Sequence, residues 1–167
     1  MDKKAMYQFS CGVYLVSTTD EQKDYACLIN TGMQVTGNPL QISITLNKEN
    51  ATAQAILRSG HFALTTLTQE ADIAFAGPFG FRTSTDFDKF AGHTCKKTVL
   101  GDTYTPECAG GVIAAKVVNT LDVGTHIIFV GAVEDAEVIS DATPMTYAYY
   151  HSTLKGKTPP KASSFIG

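Results

Sequence analysis

The chain has 167 residues, 13 of them Lys or Arg and 16 Asp or Glu, for a formal net charge of −3, with 44% hydrophobic and 17% charged residues. That is length enough for one domain with its own core, and the balance excludes both a disordered chain and a basic nucleic-acid-binding surface. No apolar run reaches membrane-spanning length and Met1-Asp2-Lys3-Lys4 is no signal segment, so a single domain over residues 1–167, cytoplasmic, with no membrane and no nucleic acid as partner, is expected.

In chain order, residues 12–18 (Gly-Val-Tyr-Leu-Val-Ser-Thr) read as a strand, 20–23 as a polar hairpin connection and 24–31 as the returning strand. Asn38-Pro39 is turn chemistry. Residues 41–46 alternate Ile42, Ile44 and Leu46 with Gln41, Ser43 and Thr45, a strand with one buried face. A helix over 51–59 closed by Gly60 and a strand over 61–67 follow. Residues 70–76 read as a second short helix, and 77–97 as a long irregular loop rich in Gly, Asp and Thr, a length that favours function over filler. Two long β-type runs, 110–121 and 125–139, are joined across 122–124. Pro144 has the look of a helix N1 proline with Thr143 as cap, giving a helix to about Lys155 before Gly156. The tail, 157–167, with Pro159-Pro160, is expected to be extended and exposed. Strands at short spacing with few helices make a closed β-barrel with peripheral helices the economical architecture.

Cys11, Cys27, Cys95 and Cys108 form no C-x-x-C pair, and His61, His93, His126 and His151 form no H-x-x-x-H pair. A metal site therefore has no support in spacing. The informative segment is 47–52, Asn-Lys-Glu-Asn-Ala-Thr, lying between a strand and a helix. A helix start presents free N–H groups and a positive dipole end, to which Lys48 adds a charge and Asn50 and Thr52 add polar groups. That suits a phosphate, although an ordinary helix start capped by Asn50 accounts for the same residues.

Several segments occur in a familiar order: 12–19, 26–31 (Ala-Cys-Leu-Ile-Asn-Thr), 44–52, 59–64 (Ser-Gly-His-Phe-Ala-Leu), 79–83 (Phe-Gly-Phe-Arg-Thr) with Asp88-Lys89-Phe90, and Gly124-Thr125-His126. The set resembles the flavin reductase-like family of FMN-binding split barrels. Tyr149-Tyr150-His151 and 155–159 (Lys-Gly-Lys-Thr-Pro) resemble the branch found as the flavin domain of rubredoxin-fused oxidoreductases. The resemblance implies a mainly β, Greek-key split barrel of about six strands and a homodimer with one FMN per subunit. It also implies hydride transfer from NADH or NADPH to the flavin, with a redox protein such as a rubredoxin as one candidate acceptor. A non-catalytic FMN electron carrier serving a rubredoxin-like or iron–sulfur partner is the alternative.

The same resemblance assigns roles. Ala26, Cys27, Leu28, Ile29, Asn30 and Thr31 would meet the isoalloxazine ring. Thr45, Leu46, Asn47, Lys48, Asn50, Ala51 and Thr52 would meet the ribityl chain and phosphate. Phe79, Gly80, Arg82, Thr83 and Lys89 would form a second phosphate-side loop, and Tyr147, Tyr149 and Tyr150 would cover the flavin. Two departures stand out: Thr83-Ser84-Thr85 replaces the usual Ser-Gly-Arg, and Thr125 replaces the aspartate of Gly-Asp-His. His126 then either faces the nicotinamide as the one catalytic candidate or is a histidine satisfied at the barrel rim. Hydride transfer needs proximity and orientation rather than a general base.

Overall fold

A computed structural model describes residues 1–165. A 3₁₀ turn, Lys3–Gln8, precedes strands β1 (Tyr14–Asp20), β2 (Lys23–Ile29), β3 (Met33–Gly37) and β4 (Leu40–Asn47). Helix α1 (Ala51–Ser59), β5 (His61–Leu67) and α2 (Ile73–Phe81) follow. Two-residue strands β6 (Lys96–Lys97) and β7 (Thr103–Tyr104), long strands β8 (Ala109–Asp122) and β9 (His126–Val138), and α3 (Tyr147–Ser152) complete the order.

The main sheet has seven strands in the order β2-β1-β5-β8-β9-β4-β3. Its ladders are antiparallel throughout. It curls but does not close into a ladder, so the fold is a split barrel and the closed barrel read from strand spacing is corrected. The reason lies at Thr31. The chain leaves β2 just before it, and its Oγ1 donates to the Thr45 carbonyl at 2.8 Å and accepts from the Thr45 N–H at 3.2 Å. One side chain thus bridges strands that stand first and sixth in the sheet order. The seventh strand is β3, whose pattern carried no signal because none of its residues is buried.

Two cores result. Val16, Cys27, Ile44, Ile56, Phe62 and Phe129 fill the barrel interior, with α1 supplying Ala53 and Ile56 as a plug. Gly131 sits where a Cβ would come within 2.8 Å of Ala115 and 2.9 Å of Phe62, so only glycine lets β9 pass the Phe62 ring. The second core packs α2 and α3 on the outer face of β1 and β2 through Leu15, Ala26, Phe79, Phe90, Met145 and Tyr150.

Helix α1 has the expected bounds: Asn50 caps it, and Gly60 closes it at φ 76°. The second helix lies further along than the expected 70–76, because Asp72 rather than an earlier residue accepts from Phe75 N–H. Residues 77–81 are therefore helical and not loop. The last helix is capped by Thr146, not Thr143, and is shorter than expected. Pro144 instead pairs strand-like with Thr68. Among the described residues no helix is long and apolar enough to cross a membrane.

Candidate functional site

A cleft opens where the end of β2, the β4–α1 loop, the end of α2 and the C-terminal segment converge. Its volume is about 170 Å³, below the ~300–1,000 Å³ of typical small-molecule sites, with the C-terminal segment lying across it. Cys27, Leu28, Ile29 and Asn30 form one wall, and Thr45, Leu46, Asn47 and Asn50 the adjoining one. Phe79, Gly80 and Arg82 come from α2 and its C-terminal end, and Lys89 from the loop beyond it. Twelve of the nineteen residues singled out from the sequence therefore share one cavity, although the chain separates their segments widely.

The other seven are placed differently. Ala26 lies just behind the wall; its N–H donates to Ser84 Oγ at 3.0 Å and its carbonyl accepts from Lys89 Nζ at 2.7 Å. Thr31 is committed to the barrel bridge. Lys48 turns away from the cleft to pair with Asp122. Ala51 is the first residue of α1. The Thr52 side chain is buried beside Cys27, behind the wall. Thr83 bonds Thr85 at 2.9 Å on the exposed surface. His126 pairs with Asn47 across β4 and β9, outside the cleft lining. Its Nδ1 meets Thr125 Oγ1 at 2.8 Å, and its Nε2 is buried and unpartnered.

The helix start is less open than its sequence suggests. Lys48 N–H donates to the Thr125 carbonyl at 3.0 Å, Glu49 N–H to Asn47 Oδ1 at 2.9 Å and Thr52 N–H to Asn50 Oδ1 at 2.8 Å. Several donors expected for a ligand are thus spent within the loop. The dipole of α1 and the Asn50 carboxamide remain.

Lys89 is a buried cation, 5% exposed. Its ammonium donates to the carbonyls of Ala26 at 2.7 Å and Phe79 at 2.9 Å, tying β2 to α2. Burial draws its pKa down, and burial pushes the neighbouring Cys27 thiol up, so Cys27 is an inert wall residue. Arg82 lines the rim with its guanidinium 5.6 Å from the Phe87 ring.

The fourth wall was the least legible. Tyr147 and Tyr150 line the cleft while Tyr149, expected with them, does not, and Lys157, Pro159, Lys161 and residues 162–164 lie across it instead of extending into solvent. Gly156 permits the turn: a Cβ there would lie 2.2 Å from the Tyr150 ring. Tyr147 Oη then bonds Thr158 and, at 3.0 Å, Ser164 Oγ. Asn47 Nδ2 donates to the Lys161 carbonyl at 3.3 Å, and the Lys161 ammonium pairs with Glu49.

The donor set suits a flat, phosphate-bearing ligand. Apolar and aromatic side chains line the cleft together with Arg82, Lys161 and the N-terminal residues Glu49 and Asn50 of the α1 start.

Comparison with known proteins gives the family. Residues 6–157 match the model of the flavin reductase like domain. The chain is 44% identical, over 99% of its length and 98% of the relative's, to a ferric-chelate reductase (NAD(P)H) of Archaeoglobus fulgidus. It is 35% identical to a high molecular weight rubredoxin of Moorella thermoacetica, covering 99% of this chain and 72% of that one. Among solved structures it is similar to the flavin reductase HpaC complexed with NADP+, with TM-score 0.75, 25% identity, and 87% and 90% of the two chains covered.

Proposed function

The chain belongs to the flavin reductase-like family, and we propose that its cleft holds FMN with the phosphate toward the β4–α1 loop and the ring against β2. The protein is an NAD(P)H-dependent flavin oxidoreductase, with flavin as cofactor and a nicotinamide nucleotide as hydride donor. The observation that carries the placement is the convergence of Leu28–Asn30, Thr45–Asn50, Phe79–Arg82 and Lys89 on one cavity.

When bound, the flavin supplies the two-electron acceptor chemistry that no side chain of this protein can provide. The residues bind, orient and exclude water. Leu28, Ile29 and Phe79 give the apolar wall that desolvates a ring. Asn30, at the end of β2, offers a carboxamide at the polar edge. Arg82 and the N-terminus of α1 supply positive potential for a phosphate. His126, beside Asn47 with a free buried Nε2, is a second-line group that steadies the loop or meets the nicotinamide. The electron acceptor is proposed to be a ferric chelate or a small redox protein such as a rubredoxin. The relatives of those names support that reading.

Assembly as a homodimer is part of the proposal. Met33, Val35 and Leu40 on the sheet edge, and Val118, Leu121 and Val123 at the β8–β9 tip, are large apolar side chains left exposed. Sedimentation is expected to give twice the chain mass; a monomer that retains flavin would contradict it.

The placement is tested by comparing FMN with riboflavin at equilibrium. Net contributions of about 1.5–3 kcal/mol per charge-assisted bond predict that riboflavin binds at least tenfold more weakly. Equal affinities would remove the phosphate from this end of the cleft.

A further inference from the structure

A cation at the mouth of the cleft, against the β4–α1 loop, belongs to the far end of the chain. Lys48, the loop's own lysine, is paired with Asp122 outside the cavity. Lys161 lines the cavity, its carbonyl is held by Asn47 Nδ2, and its ammonium rests on Glu49, which also lines the cavity. Two residues of the loop thus hold one residue of the tail. The family match ends at residue 157, so nothing in that match accounts for the segment carrying Lys161.

The Glu49–Lys161 pair is exposed on both sides, with side chains 69% and 70% accessible. Exposed pairs are weak and screened by salt, hence easily exchanged. A phosphate monoester carries nearly two negative charges and more acceptor oxygens than a carboxylate. Placed at the N-terminus of α1, where Glu49, Asn50 and Lys161 line the cavity, it would repel Glu49 and compete for the Lys161 ammonium.

The geometry points to an exchange in which Lys161 gives up Glu49 for the ligand's phosphate and the tail, residues 157–164, seals the cleft as a strap specific for phosphorylated flavin. This rests on the flavin reading above and adds to it a determinant of FMN over riboflavin. Glu49 is the internal stand-in for the phosphate and holds the strap in place before the ligand arrives. Tyr147, bonded to Thr158 and Ser164, is the hinge-side anchor.

The two partners then predict opposite effects, which a purely structural latch would not produce. Measured by flavin fluorescence on the full chain, Lys161→Ala should weaken FMN binding about three- to tenfold and leave riboflavin nearly unchanged. Glu49→Gln should tighten FMN about two- to threefold, because it removes both the competitor and a repelling charge. The FMN-to-riboflavin ratio of the parent should fall with added salt, and that of Lys161→Ala should fall less. Equal losses for the two ligands in Lys161→Ala, or weaker FMN binding in Glu49→Gln, would overturn the exchange while leaving the flavin cleft standing. A parent protein that does not discriminate FMN from riboflavin would overturn both.

Discussion

Asn50, Lys48 and Lys89 show that residues expected around one phosphate region are used in three different ways. Asn50 is both helix cap and cleft residue, so the two roles weighed for it are compatible. Lys48 and Lys89 are both basic and both flank the expected phosphate region. Lys48 is spent on Asp122, whose carboxyl it holds below the ordinary range. Lys89 is spent on two carbonyls, where it acts as a clamp between β2 and α2 before anything else. Lys48→Ala should therefore change FMN affinity by less than about twofold, since an exposed pair outside the cavity contributes little to the ligand. A tenfold loss on titrating this variant with FMN would return Lys48 to the phosphate site.

At the scale of elements, the β6–β7 hairpin is pinned by a residue remote from the cleft. Asp102 is wholly buried, and its Oδ1 accepts from Thr19 N–H at 2.9 Å and meets His61 Nδ1 at 2.8 Å, while Oδ2 has no partner. Burial raises its pKa above the ordinary carboxylate range, outweighing the Thr19 N–H and His61, which lower it. A carboxyl whose folded pKa is raised stabilises the fold fully below its unfolded value, about 4, and loses that contribution as pH rises through the folded value. Asp102→Asn cannot titrate. Its stability relative to the parent, measured by denaturant unfolding, should improve from pH 3.5 toward neutrality; a flat difference would contradict the assignment. Asp102→Ala, which strands the Thr19 N–H, should cost about 1–3 kcal/mol. Local chemistry made most elements legible: apolar runs for β1, β2, β5, β8 and β9, and an Asn cap with a closing Gly for α1. It failed where tertiary contacts decide. Strand β3 buries no residue and so has no pattern. Gly77 and Pro78 lie inside α2, which is why the helix expected over 70–76 stops too early. Thr143-Pro144 looks like a helix start, but Pro144 is claimed by Thr68. The cleft was legible as three segments because each follows a strand or helix end. The tail was not, since Pro159-Pro160 signals extension and only contacts with Asn47, Glu49 and Tyr147 lay it across the site.

For the whole molecule, the split in the barrel is what makes the site. Were β2 and β4 joined in a continuous ladder, no cavity would separate Leu28–Asn30 from Thr45–Asn50. A single threonine instead spans the gap at one level, leaving the cleft that α2 and the tail then enclose. A fold that lines one cleft with apolar and aromatic side chains and with Arg82 and Lys161 has the parts for binding and orienting a redox cofactor. The most direct test is to load the protein with FMN, mix it anaerobically with NADH or NADPH, and follow the flavin absorption by stopped flow. The account predicts stoichiometric bleaching by at least one of the two nucleotides, with the colour restored on admitting an electron acceptor. A protein that holds FMN tightly but keeps its oxidised spectrum with both nucleotides would contradict the hydride-transfer role and leave a flavin-binding electron carrier in its place.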